Sequence, residues 1–218
     1  TATLGANAGI EGEVLVVEEN SGWRVAGPAT IGGEGVGVLT IEDLGVVAVD
    51  SMIVGGAAGG SGTVTVRGAN AILERADLRV EDGDLVLGNG GDGTLSLLEG
   101  GHMIVVNDFI VGAAGGLASF VLDGAQNEVH AGMAILGHLR LGKGSEVAQG
   151  LFDNGATGAA GTATIGDGAD GQLLIRQLGR FVVKSNEEET HFGILNIGSG
   201  GTGIVTAESG GELEADGI

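Results

Sequence analysis

The sequence predicts an all-β chain wound as a parallel β-solenoid, with about three short strands per coil and roughly eight coils. Three observations predict it. An aliphatic residue followed by glycine recurs at Leu4-Gly5, Ile31-Gly32, Val54-Gly55, Leu87-Gly88, Val111-Gly112, Leu136-Gly137, Ile165-Gly166 and Ile197-Gly198. The glycines lie 27, 23, 33, 24, 25, 29 and 32 residues apart, a period that marks stacked repeats. The intervening apolar runs are short, rich in Val, Ile and Leu, and bounded by glycine, with no helical period to compete. Finally, 47 glycines among 218 residues oppose helix formation.

Within a repeat, each segment has its own justification. The aliphatic-Gly anchor ends one strand. A Gly-rich turn follows, as in Glu34-Gly35-Val36-Gly37 or Asn89-Gly90-Gly91-Asp92-Gly93. Glycine is suited to such corners because it tolerates positive φ. A second strand comes next: Val38-Leu39-Thr40-Ile41, Thr94-Leu95-Ser96-Leu97, Gln172-Leu173-Leu174-Ile175 and Ile204-Val205-Thr206-Ala207. In these four copies its central residue stands 7 positions after the anchor glycine (39 − 32, 95 − 88, 173 − 166, 205 − 198). A third strand follows a further glycine turn, as in Gly45-Val46-Val47-Ala48-Val49 and Gly179-Arg180-Phe181-Val182-Val183. One such coil has no neighbour to cover its apolar face, but stacked coils share a continuous core. Eight coils at about 4.8 Å each give a rod of about 35–40 Å. Few aromatics, 3% of the chain, suit a thin interior.

Several copies depart from the pattern. Repeat five has Ala118-Ser119 where glycine is usual. Repeat six runs from Gly137 straight into His138-Leu139-Arg140-Leu141, and then reads as a loop from Gln149 to Gly161. Leu73 to Leu85 and Lys184 to Phe192 read as insertions, and these segments are the predicted protrusions.

The repeat runs through residues 1–218 without a linker, so the chain reads as a single solenoid domain cut at repeat boundaries from a longer protein. No run of 18 apolar residues is present, so no membrane-spanning helix is expected. The formal net charge is −20, with only nine Lys and Arg. That balance disfavours nucleic acid, whose phosphates need cationic partners. The absence of cysteine removes disulfides and thiolate metal sites.

Candidate chemistry is sparse. Asp92 and Asp170 in the Gly/Asp turns partly resemble a calcium-binding roll, but that roll needs tandem nine-residue copies; turn formation explains them better. Asp167, Asp170, Arg176 and Arg180 are the nearest approach to the carboxylates and base of a carbohydrate-active enzyme. No established catalytic motif is present, so no catalytic residue, metal ligand or cofactor is assigned. His102, His130 and His138 are expected at surface or turn positions. Thr63-x-Thr65 and Thr162-x-Thr164 suggest a threonine ladder, which Thr94-x-Ser96 and Ser119-x-Val121 break. The candidate surface-contact residues are Trp23, the lone tryptophan, Phe152 in the loop assigned to repeat six, and the charged cluster Glu187, Glu188, Glu189 and His191.

The pattern aliphatic-Gly-x-x-x-x-Gly-x-apolar-x-apolar, followed by a glycine turn and an apolar strand, spans Ile31 to Val49, Leu87 to Val105, Ile165 to Val183 and Ile197 to Glu214. It resembles the passenger domains of bacterial autotransporters. The resemblance implies a right-handed β-helix, displayed at the surface of a Gram-negative cell or released from it, with a membrane barrel elsewhere in the parent chain. It further implies adhesion or self-association, through a host or bacterial surface protein or glycan, or through other copies of the chain. The alternative is a carbohydrate-active β-helix of lyase, hydrolase or tailspike type.

Overall fold

The computed structural model describes residues 1–68, 75–124, 133–144, 147–184 and 193–216. Among them the chain is all-β, and its strands form two parallel sheets. The eight-stranded sheet stacks Glu11–Val16, Val36–Glu42, Ser61–Arg67, Asp92–Leu98, Ala118–Asp123, Ala148–Asp153, Gly171–Ile175 and Gly203–Ala207 in chain order. The eleven-stranded sheet contains the third strand of each repeat and the anchor strand that follows it. These two often join into one long strand, as in Gly22–Ile31, Val46–Val54 and Thr157–Ile165. Elsewhere they separate, as Asp77–Val80 and Leu85–Asn89 do. This is the solenoid the repeat predicts, three segments to a coil, with two of them running on around a bend.

The anchors form one column. Leu4, Ile31, Val54, Leu87, Val111, Leu141, Ile165 and Ile197 are successive register partners. Ile31, Val54 and Ile165 are wholly buried. Each such side chain contributes about 1.5–3 kcal/mol by leaving water. The turn glycines extend the ladder around the corner: Gly32 N–H donates to the Leu4 carbonyl at 2.9 Å, and Gly55 N–H to that of Ile31 at 2.9 Å.

Coil six corrects the sequence reading. Its anchor is Leu141-Gly142, not Leu136-Gly137: Gly142 has φ +72° and donates to the Val111 carbonyl at 3.0 Å. Gly137 lies in the bend within Met133–Leu141, opposite the two-residue bulge Val106-Asn107. Both dipeptides are Leu-Gly, so only pairing tells them apart. With the anchor moved, the supposed loop from Gln149 to Gly161 resolves into the end of Ala148–Asp153 and the start of Thr157–Ile165. Residues 73 and 74 of the supposed insertion lie outside the described residues; from 75 to Leu85 it is ordinary coil, because Leu78 and Val80 are wholly buried in a strand. The stretch 185–192, the core of the other expected insertion, lies outside the described residues.

Phe152 is therefore not a surface residue. It is wholly buried in a line of four rings: Phe109 to Phe120 at 5.2 Å, Phe120 to Phe152 at 5.7 Å, and Phe152 to Phe181 at 5.1 Å between centroids. Missing side chains make the room. Gly150 occupies the inward column of Leu39, Val64, Leu95 and Leu173. A Cβ there would stand 2.5 Å from Phe120 Cε1 and Cζ. At Gly158 a Cβ would strike the Phe152 ring and come within 3.0 Å of Phe181 Cδ2. Rings on one strand thus fill holes left by glycines on others, which keeps the interior close-packed.

At the corner after the eight-stranded sheet, two consecutive residues take positive φ. They are Asp43 and Leu44 in one coil, and Gln177 and Leu178 in another. The turns close by Gly45 N–H to Glu42 carbonyl at 2.9 Å and Gly179 N–H to Arg176 carbonyl at 2.8 Å. Left-handed backbone at Leu178 (φ 66°) strains an L-residue, and its side chain is largely exposed, at 73%.

Two outcomes follow from this packing. Gly158→Ala should destabilise the chain by about 1–3 kcal/mol in urea unfolding, through overpacking. Phe152→Leu should lessen that cost in the double variant, a non-additivity expected of touching residues; strictly additive effects would contradict the packing described. Leu178→Gly should raise stability by about 0.5–1 kcal/mol, as relief of strain exceeds the added freedom of the unfolded chain. A fall in the melting temperature would contradict it.

Candidate functional site

The acids and arginines nominated from the sequence do not converge. Asp167 accepts from Arg140 Nε at 2.7 Å. Asp170 accepts from the backbone N–H of Thr202, on the next coil, at 3.0 Å. Arg176 grips Asp153 at 2.8 and 3.0 Å. Arg180 pairs with Glu212, at 3.1 Å, and with Glu214. Asp92, the other turn acid, accepts from Leu117 N–H at 3.1 Å. Asp92 and Asp170 thus tie one turn to the next. Among the described residues, no three His, Asp or Glu side chains gather as a metal site would require.

Two other groupings come together instead. On the eleven-stranded sheet, Asp108 lies 3.2 Å from His138 Nδ1 and 3.2 Å from Arg140 Nη1, while Arg140 also reaches Asp167. The backbone N–H of Asp108 donates to Asp84 at 3.2 Å. Burial lowers the affinity of the Arg140 guanidinium for its proton, but Asp167 and Asp108 more than offset this and hold it above its ordinary value. The second grouping is Asp77, His102 and Arg79. His102 Nδ1 stands 2.6 Å from Asp77, and Arg79 Nη2 2.7 Å from it. His102 is buried on a strand rather than placed at a surface turn, and its Nε2 is buried without a partner. Burial pushes the Asp77 carboxyl up; hydrogen bonds and charge from His102 and Arg79 overcome that and leave it below its ordinary 3.8.

Of the surface-contact candidates, Trp23 is half-buried and packs against the core at its first layer. Its strand partner is Val47, and the strand on the other side, Ala2–Leu4, pairs only with Ala29–Ile31. Glu187, Glu188, Glu189 and His191 lie outside the described residues, as does His130.

The most extensive feature is one the sequence reading only touched. The outward positions of the eight-stranded sheet form two central lanes. One runs Val38, Thr63, Thr94, Ser119, Gln149, Gln172, Ile204. The other runs Thr40, Thr65, Ser96, Val121, Leu151, Leu174, Thr206. All these residues are exposed or half-buried and uncharged; on the first strand Glu13 and Leu15 head the two lanes. Two adjoining depressions, each about 460 Å³ and open to solvent, lie on this face and share Ser119 and Gln149. The Thr-x-Thr signal was visible in the sequence. Its continuation is hidden in the sequence, because Ser, Gln and aliphatic residues replace threonine and Leu136-Gly137 mimics the anchor of coil six.

The chain matches no family model, no curated protein and no solved structure.

The Asp77 cluster carries a pH prediction. A carboxyl depressed in the folded state stabilises it above the unfolded value, and that contribution is lost as pH falls through the folded value. The stability difference between wild type and Asp77→Asn should therefore shrink as pH is lowered from 3.8. A gap in urea unfolding that stays constant through that range would contradict the assignment.

Proposed function

We propose that this chain is a structural and adhesive module of a surface-displayed or secreted bacterial protein, of autotransporter-passenger type. On this reading it acts as a rod that presents its outer faces to a cell-surface protein, a glycan or further copies of itself. One observation carries the reading: the anchor column keeps register from Leu4 to Ile197, so the outward residues form continuous faces along the whole stack. A stack of this kind displays long surfaces and offers many places for contact.

The charge pattern adds support. Arginines reach between coils, from Arg24 to Glu81, Arg67 to Glu42, Arg140 to Asp108 and Arg176 to Asp153. In a chain of net charge −20 these four arginines tie one coil to another. Fold alone does not assign function; the resemblance of the repeat pattern to autotransporter passengers supports this reading.

The carbohydrate-active alternative has one grouping in its favour, Asp108, His138, Arg140 and Asp167, which brings carboxylates and basic residues from different coils together. Display of the chain on bacteria through a membrane barrel separates the readings. Cells carrying it should adhere to host cells or aggregate more than cells carrying the barrel alone. No difference in either assay, or release of reducing or unsaturated ends from polysaccharides that Asp108→Asn abolishes, would overturn the proposal.

A further inference from the structure

The middle of the outer face of the eight-stranded sheet stands out against the rest of the molecule, because its charges lie at the margins: Glu13, the partner of Val38, heads one lane, and exposed Asp92 edges one of the depressions beside Leu117. The chain carries 29 Asp and Glu, yet no ionisable side chain interrupts the two central lanes from Val38 and Thr40 to Ile204 and Thr206. Over the middle coils the lanes also differ from each other. Ser119, Gln149 and Gln172 make a strip of hydroxyl and amide groups. Val121, Leu151 and Leu174 make an aliphatic rail beside it. On the other side, Leu117 and Val147 are exposed, at 66% and 39%.

We propose that this face is a docking strip for a neutral, unbranched polysaccharide lying along the rod axis. The proposal rests on the display reading above and names the partner chemistry of one face.

Three features select that partner. The first is charge. A cationic partner would gain more from the acidic remainder of the surface, and an acidic polymer or a second −20 chain would be repelled. A neutral partner is the one for which an uncharged strip in an acidic chain is the best place to bind.

The second is chemistry. Glutamine amides and serine hydroxyls both donate and accept hydrogen bonds, and the hydroxyls of a neutral sugar do the same. The carbon-bound faces of a pyranose ring need apolar surface, which Val121, Leu151 and Leu174 supply. A few polar groups set in an apolar floor are the usual composition of a ligand site.

The third is periodicity. The strip repeats once per coil, about every 4.8 Å, so a polymer can make the same contact on successive coils. The shared position of Ser119 and Gln149 in both depressions puts the centre of the strip there. A protein partner is favoured less, because this face lacks the aromatic and arginine anchors that dominate such interfaces.

Affinity electrophoresis of the full chain through gels containing hydroxyethyl cellulose, a soluble neutral glucan, tests the strip. The chain should be retarded, and equally so at low and high salt, because no charge pair is involved. Gln149→Glu and, separately, Leu151→Ser should each weaken retardation by at least about tenfold, with melting temperatures showing both variants folded. Equal retardation of wild type and both folded variants, or no retardation of wild type, would overturn the proposal. So would sedimentation showing a wild-type dimer that Gln149→Glu dissociates, since the face would then be an interface between copies.

The two readings fail separately. A chain that promotes adhesion when displayed but ignores the glucan refutes the strip alone. A chain that binds the glucan but changes neither adhesion nor aggregation refutes the display reading alone.

Discussion

Everything in this molecule depends on in-register parallel pairing between coils. Each strand places its inward side chains directly over those of the coil before, so a column such as Ile31, Val54, Leu87, Val111 is sealed only by its own repetition. No coil has an interior of its own. The corners obey the same constraint: Gly37 lies so close to the backbone N of Gly32, on its own coil, that any Cβ would collide with it. The recurrence of glycine in this chain is thus as much a matter of backbone approach as of turn conformation.

Stacking also governs volume. The interior is thin, yet it holds Phe109, Phe120, Phe152 and Phe181 in line. It can do so because Gly150 and Gly158 give up their side-chain space to neighbouring strands. Packing density is conserved over several coils together rather than within each one. Charge is organised by the same geometry. Residues a coil apart in sequence meet on the surface, which is how Asp108, His138, Arg140 and Asp167 come together and how Asp170 reaches the backbone of Thr202.

The repeat, the three segments and the inward direction of Ile31, Val54 and Ile165 were legible in the sequence, because period and alternation are properties of the chain itself. What was not legible was coil length. Leu136-Gly137 and Leu141-Gly142 are chemically alike, and only pairing with Val111 selects the second. That error concealed the strand containing Phe152, since Gly150 at its inward position breaks the apolar alternation. It also concealed the uncharged lanes, which emerge only when Gln149 and Leu151 are aligned beside Ser119 and Val121. The Asp77 and His102 pair was hidden for a related reason: residues 25 apart meet here, but coil lengths vary too much for any one spacing to announce a partner.

The central claim is that successive coils sit squarely on one another. Spin labels at outward positions of one lane test it directly by pulsed electron resonance. Thr40 and Leu174 are separated by five strand steps through Thr65, Ser96, Val121 and Leu151. Their backbones should stand about 24 Å apart, and intermediate pairs should fall short of that by about 4.8 Å per step. Distances that do not grow evenly along the lane, or a broad distribution for the longest pair, would contradict the stack.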